Sequence, residues 1–575
     1  MGVRRAVEMV LDASIEHAEP ISTFGPLIHN PQVLALLEEK GIHILNETPE
    51  TGSGIVLIRA HGIPPHAHEK LINAGFEVLD ATCPRVIKIQ TIIKKHTAQG
   101  YVSIIIGDKN HPEVVGLQGH AGQDGYVVGS LGELQALPVF ERAIIVAQTT
   151  QNTQLFQDIK TWAASHRPHY KVFDTICDST EKRQAEIKQL ADTVDAIIVV
   201  GGRNSGNTRR LAEVSRGTGK ATFHIETEAD LGALDAEDLL SHSSIGITAG
   251  ASTPNWIINR VYKALEGLAY RRKQGWRRIL FSIQRSLVLT NIYLSFGAGL
   301  LCYACSTLQG IKGYTPFVFL SMLYVQSMHL LNHLTGGKAD QYNDPGRACF
   351  YSINRKWLTI LAVTTGAGGL IIAWTLGAWP FSITLAMSVL GLSYHLKLVP
   401  DYFTGIKYRR IKDVPGSKTL LITVAWGILT AILPSLSIRG TIAWNNWLIF
   451  IWSSGLVFVR TTFFDILDMQ GDRIVGKETL ALLMGEKRSH RVLKTILMVL
   501  IVTLPMASAL QLASPLGFAL TLCPIFIWIV FSAYRRGYLL PGIKLEFLVE
   551  TLFMTAGLIT LIWSSADPLK FLVIN

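Results

Sequence analysis

The chain has 575 residues, of which 17% are charged and 49% hydrophobic, with six cysteines and a formal net charge of +10. That length exceeds one compact core, and a charged share well below the usual figure of about 25% excludes a disordered, collagenous or wholly soluble chain. Six cysteines are too few for a disulfide scaffold, and the positive excess fits either membrane or nucleic acid, so its position has to decide.

The chain opens on an amphipathic helix, GVRRAVEMVLDAS, rather than an apolar leader, which puts the soluble half in the cytoplasm. Up to about residue 270, short apolar runs (IVLIRA, VSIIIGD, AIIVAQ, DAIIVVGG) alternate with amphipathic stretches such as KIQTIIKKHTAQG. Strand and helix in alternation predict a soluble α/β half.

Two segments of this half align without gaps: EVLDATCPRVIKIQTIIKKHTAQGYVSIIIGDKNHPEVVGL and KVFDTICDSTEKRQAEIKQLADTVDAIIVVGGRNSGNTRRL. Asp80 pairs with Asp174, Cys83 with Cys177, His111 with Ser205 and Glu113 with Asn207, and 28 positions separate Cys from His or Ser in each. Each copy reads strand, Cys, helix, strand, polar loop, and ligands of α/β units bind at such strand ends. The opening resembles a third copy, with its polar loop at His29–Asn30, so the repeat predicts a further Cys just upstream of Met1. Three thiolates from three repeats suit one metal cluster with an open corner. A spacing of 94 between Cys83 and Cys177 is neither a zinc-ribbon nor a ferredoxin pattern, and two buried, inert cysteines are the alternative.

A basic run follows: Arg271, Arg272, Lys273, Arg277 and Arg278. Beyond it the stretches 286–311, 313–337, 357–396, 419–438, 440–459 and 495–534 carry no Asp, Glu, Lys or Arg. A span needs about 20 apolar residues. Turn signals at Gly377–Pro380 and Ser514–Pro515 divide the two longest stretches, and 546–564 completes a count of about nine spans. With the N-terminus inside, nearly all loop Lys and Arg fall on the cytoplasmic side, and the opposite loops hold only Lys312 and Arg439. The basic run then reads as an anchor on the anionic leaflet of the cytoplasmic membrane, with lipid rather than nucleic acid as its partner. Polar clusters close two of the spans: Asn332, Asp340, Asn343 and Arg347 in one, Asp465, Asp468 and Asp472 in the other. Carboxylates three or four residues apart share a helix face, and beside lipid such groups line a cavity. They suit Mg²⁺ against a diphosphate, with Arg460, Arg347 and Lys412 neutralising the remaining charge; solvated loops are the blander reading.

At DATCPRV, RAHGIPP, NHPEVVG, AQTTQ, RNSGNT and TAGASTP, residues 1–268 resemble the LytB/IspH family, the 4-hydroxy-3-methylbut-2-enyl diphosphate reductases. The resemblance implies three α/β modules in pseudo-threefold array around a [4Fe–4S] cluster held by three Cys. It also implies removal of the allylic hydroxyl with two electrons and two protons, giving isopentenyl and dimethylallyl diphosphates. Carried over, Cys83 and Cys177 are cluster ligands; His29, His61, His111, Ser205, Asn207 and Ser252 contact the diphosphate; Glu113 is the proton source and Thr150 a pocket hydroxyl. The family's first Cys falls just ahead of Met1, where the repeat also puts it. With no GxGxxG fingerprint, the expected electron donor is a ferredoxin or flavodoxin. Gly201, Gly202 and Gly206 are expected to let backbone approach phosphate.

After a connector at 269–282, residues 283–575 resemble the UbiA superfamily of intramembrane prenyltransferases, through the two Asp-rich motifs, KDVPGSKTL and GDRIVGKETL. The first motif is depleted, with His333 and Gly336 where the family carries Asp. The implied whole is an all-α transmembrane bundle behind a cytoplasmic reductase of non-mevalonate isoprenoid synthesis. The rival is a cluster-less, diphosphate-binding regulatory module that anchors the transferase or a lipid-binding bundle.

Overall fold

The computed structural model describes residues 2–17, 19–234, 236–272, 275–335, 342–395, 411, 414–474 and 479–565. The chain divides into two compact units, Met1–Val261 and Tyr262–Asn575, the boundary falling inside the helix Asn255–Arg272.

The first unit holds three sheets, all of whose strand pairs are parallel. The first contains β1 (Ile21–Phe24), β2 (His43–Leu45), β3 (Ile55–Ile58) and β4 (Glu77–Asp80), in the order β2-β1-β3-β4. The second contains β5 (Val102–Ile106), β6 (Gly125–Val128), β7 (Ala143–Ala147) and β8 (Lys171–Val172), in the order β6-β5-β7-β8. In the third, β9 (Ala196–Val200) lies between β10 (Ala221–Ile225) and β11 (Ile245–Ala249). Second strand, first strand, third strand is thus the order in every sheet, so the repeat seen in the residues is a repeat of topology. β3, β7 and β9 are buried along their whole length, the signature of parallel strands covered on both faces. Their β-branched runs need helices on each side, and proline at the first helical turn starts several of them: Pro31–Glu39, Pro65–Asn73, Pro84–Thr97 and Pro112–Ala121.

The second unit is helical. Among its described residues, six helices are long and apolar enough to cross a membrane: Arg355–Thr375, Ser417–Arg439, Trp444–Arg473, Glu486–Ala509, Leu516–Arg535 and Ile543–Ser565. A seventh arises if Trp276–Leu289 and Ile292–Leu308, bent by 71°, count as one. The expected count of nine is therefore met only in part, for three local reasons. Asn291, at φ 57°, breaks the first stretch. Gln326, His329, Asn332 and His333 dilute the apolar character of Thr315–Thr335. Ala378–Leu392 has only 15 residues, less than the hydrocarbon thickness asks for. Asp340, Lys412 and Lys273 lie outside the described residues.

Candidate active site

Each sheet of the first unit sends two strand ends towards site residues. β1 leads to His29 and β3 to His61; β5 leads to His111 and Glu113 and β7 to Thr149 and Thr150; β9 leads to Ser205 and Asn207 and β11 to Ser252. The carboxyl ends of parallel strands, where helices begin with free N–H groups, are the anion-binding side of such units.

The three imidazoles meet. Ring centroids are 5.1 Å apart for His29 and His61, 5.2 Å for His61 and His111 and 5.9 Å for His29 and His111. One nitrogen of each lies within 4.8 Å of the others, close enough for a shared metal ion or a small anionic group. The third sheet's loop closes on this centre. A Cβ at Gly206 would stand 3.0 Å from His111 Nε2, and one at Gly202 would stand 2.3 Å from the His29 carbonyl oxygen. These two glycines thus make room for the histidine-bearing segments, which differs from the expected role of admitting phosphate to backbone. Ser205 caps the helix Gly206–Arg216, and its Oγ lies 3.2 Å from Ser252 Oγ.

Several buried polar atoms here have no hydrogen-bond partner: His29 Nε2, His61 Nδ1 and both side-chain atoms of Asn207. Buried polar groups are normally satisfied, so their convergence marks a space for a polar ligand. Burial is the main force holding all three imidazoles below their ordinary pKa; His61 is lowered by burial and by its neighbours His111 and His29, and His111 is lowered to about 4. Arg59, whose buried Nε also lacks a partner, adds positive potential to the centre. With their pKa held below the ordinary value, the imidazoles are neutral at pH 7 with one N–H each, and protonation on anion binding gives each a second donor.

Glu113 is 1% exposed, and burial pushes its carboxyl up to about 7 in spite of two hydrogen bonds from Thr149. Thr149 N donates to Oε1 at 2.6 Å and Thr149 Oγ1 to Oε2 at 2.7 Å. The Glu113 amide donates in turn to His111 Nδ1 at 3.2 Å. Thr150 accepts from Gln148 Nε2 at 3.0 Å, and Gln148 Oε1 accepts from the Asp108 amide. Thr149, Gln148 and Arg59 were not singled out from the sequence. The AQTTQ run offers two adjacent threonines, and only the fold separates the one that grips the carboxylate from the one beside it.

Cys83 and Cys177 are the N-caps of the helices Pro84–Thr97 and Asp178–Ala191. Their amides donate to Ala60 O at 2.9 Å and Thr149 O at 3.0 Å, equivalent points just past β3 and β7. An ion pair between Arg85 and Asp178 joins the first turns of these two helices. Gly2, opening the helix Gly2–Glu16, packs on Cys83, where an added Cβ would fall 2.5 Å from the sulfur. Three helix N-termini therefore converge, and thiolates are favoured at such ends.

In the second unit, Asp465, Asp468 and Asp472 stand on the helix Trp444–Ile474. Thr419 Oγ1 donates to Asp465 Oδ2 at 2.7 Å, and Asn343 Nδ2 to Asp472 Oδ1 at 2.9 Å, so a residue of the first polar cluster meets the second. Asn332 sits in the last turn of Thr315–Thr335. Arg347 differs from expectation: its guanidinium pairs with Glu546 and Asp344, and Lys263 reaches Asp344 at 2.9 Å and Glu546 at 3.4 Å. Burial alone would raise the Asp344 carboxyl, but Lys263 and Arg347 hold it well below the ordinary range.

Residues 1–266 match the LytB protein family, and residues 292–545 the UbiA prenyltransferase family. The 4-hydroxy-3-methylbut-2-enyl diphosphate reductase of Nitratidesulfovibrio vulgaris is 43% identical over 272 residues, covering 47% of this chain and 96% of that protein. The enzyme of the same name from Geobacter sulfurreducens is 40% identical over 47% of this chain and 95% of its own. Among solved structures, a UbiA homolog from Aeropyrum pernix K1 covers 48% of this chain and 98% of its own at 14% identity, with a TM-score of 0.38. Through its first half the chain belongs to the LytB family of 4-hydroxy-3-methylbut-2-enyl diphosphate reductases, fused to a domain of the UbiA prenyltransferase family.

Proposed function

We propose that the first half reduces 4-hydroxy-3-methylbut-2-enyl diphosphate to isopentenyl and dimethylallyl diphosphates and that the second is a membrane prenyltransferase. Residues 1–268 carry the reductase, 269–282 the basic connector and 283–575 the transferase. The observation that carries the first assignment is the group of buried polar atoms without partners, His29 Nε2, His61 Nδ1 and both side-chain atoms of Asn207, beside His111. With Ser205, Asn207 and Ser252 the three histidines bind the diphosphate, since imidazole, hydroxyl and amide groups all hydrogen-bond its oxygens. Glu113, buried with a carboxyl raised to about 7, holds a proton near neutral pH and delivers it as a general acid. Thr150 offers its hydroxyl to the same pocket.

Cys83 and Cys177 fit two ligands of a [4Fe–4S] cluster, because their sulfurs sit at convergent helix N-termini. The repeat, counted back from His29, supports a third ligand at or just before Met1. When bound, the cluster supplies the two electrons, taken from a ferredoxin or flavodoxin, and a Lewis-acidic iron for the substrate hydroxyl. In the second half, Asp465, Asp468 and Asp472, with Asn332, Asp340 and Asn343, fit Mg²⁺ and a prenyl diphosphate, as clustered carboxylates in an apolar bundle require cations. Lys412 completes the charge balance. The bundle spans the cytoplasmic membrane nine times with the reductase inside, as the loop charges support.

The test is anaerobic purification of a chain made with cysteine ahead of Met1, followed by iron assay and turnover with reduced flavodoxin. Uptake of about four irons per chain and product formation are expected, and Glu113→Gln should lower turnover by about 10²- to 10⁴-fold. A protein that binds the substrate yet never takes up iron would instead establish the regulatory module.

A further inference from the structure

Resting on the transferase reading above, we infer that Glu550 takes the acceptor's proton during prenyl transfer and that the acceptor is a hydroxyl compound. Arg460 and Glu550 form an ion pair deep in the helical unit, their side chains 11% and 8% exposed. Arg460 Nε and Nη2 both donate to the same oxygen, Glu550 Oε1. The other oxygen, Oε2, is buried and has no hydrogen-bond partner. A buried ion pair is tolerable when its remaining lone pairs are satisfied, so the lone oxygen marks where a ligand's donor belongs.

Its position suits the reaction. Arg460 precedes Asp465 by five residues and Asp468 by eight on one helix, or about 8 and 12 Å along the axis at 1.5 Å per residue. The pair therefore lies one to two turns before the carboxylates proposed to hold the diphosphate, at the middle of the helix. Aromatic rings stand on the same two helices. Phe464 lies 4.8 Å beneath the Arg460 guanidinium, Tyr293 stacks on Phe547 at 4.3 Å, and Trp426 packs against Phe553 at 5.0 Å. Phe547 and Phe553 flank Glu550 three residues either side, on the same helix face. Such a setting accepts an apolar molecule with one polar head.

The free valence calls for a donor head, of which a hydroxyl is one that can also give up its proton. Oε2 is an acceptor, so a hydroxyl donor satisfies it and a carboxylate is repelled. In the step, the C1–O bond of the prenyl diphosphate breaks and pyrophosphate leaves. The acceptor oxygen bonds to C1, and its O–H proton passes to Glu550 Oε2, while Arg460 stays paired with Oε1.

The experiment uses the full chain in lipid nanodiscs with Mg²⁺ and geranyl diphosphate, following pyrophosphate release with phenol or benzoate as probe acceptor. Phenol is expected to stimulate release and benzoate is not. Glu550→Gln should reduce the phenol-dependent rate at least about 100-fold and remove its dependence on pH, and Glu550→Asp should restore part of both. Because Glu550→Gln leaves Arg460 buried without its partner, the double variant Arg460→Gln/Glu550→Gln serves as a folding control: it should retain the thermal unfolding profile and still lack the phenol-dependent rate. Equal stimulation by benzoate, indifference to phenol, or full phenol-dependent release in either variant would overturn the assignment. Asp468→Ala separates this from the parent reading: if that variant still releases pyrophosphate, the transferase reading itself fails.

Discussion

Glu113 shows how burial and hydrogen bonds together set one carboxyl's proton affinity. Burial raises its pKa to about 7, whereas the amide and hydroxyl of Thr149 favour the charged form and pull it down. In its proposed role as general acid Glu113 must be protonated in the free enzyme, so kcat/KM should fall as pH rises through about 7. Removing the Thr149 hydroxyl with Thr149→Val takes away a bond to the carboxylate, so the pKa should climb and the falling limb should move to higher pH. A limb that stays in place in Thr149→Val would assign the profile to another group. The NHPEVVG motif pointed to Glu113, but its proton affinity was not legible there, because Thr149 lies 36 residues away and meets it only through the pairing of β5 with β7.

Among the elements, the loops after β9 and β11 were legible as polar and glycine-rich, but the purpose of their glycines was not. Gly202 and Gly206 allow the third sheet's loop to close on His29 and His111. Gly202→Ala would press a methyl into the His29 carbonyl; it should cost about 1–3 kcal/mol of stability and weaken diphosphate binding, measured by unfolding and by titration with pyrophosphate. The helix Trp276–Leu289 differs in kind from a span. Trp276, Ile279, Leu280 and Ile283 form one exposed apolar face, and Arg277 and Arg278 flank it. Bent 71° from the following helix, it has the amphipathic form of a segment lying in the membrane interface. Brominated lipids should quench Trp276 from the headgroup–acyl boundary, and a Trp276 unaffected by them would contradict that placement. The charge-free stretch at 286–311 hid this bend, since composition registers length and polarity but not the break at Asn291.

At the scale of the whole molecule, much was legible because it was repeated. The spacing of 28 from Cys to His or Ser recurs as the path from a helix N-cap to the next strand's polar loop, and both cysteines hang from equivalent carbonyls. The change of composition near residue 270 likewise marks the passage from a β-rich to a helical unit. Pairings between remote polar residues were not legible. Arg347 was expected on a diphosphate and is engaged by Glu546, nearly two hundred residues away; nothing in either local sequence links them. Arg347→Ala should therefore lower stability, by about 1–3 kcal/mol for a lost buried hydrogen bond while Lys263 still pairs with both carboxylates, and a variant as stable as wild type would return Arg347 to the binding role.

The central property proposed for the site is that its three converging, neutral imidazoles bind an anion. Calorimetric titration of the chain with inorganic pyrophosphate at pH 7, in buffers of different ionisation enthalpy, measures proton exchange on binding directly. An anion beside imidazoles held below their ordinary pKa raises them, so net proton uptake is expected, reduced in His61→Asn. Binding without proton uptake, or uptake unchanged in His61→Asn, would contradict it.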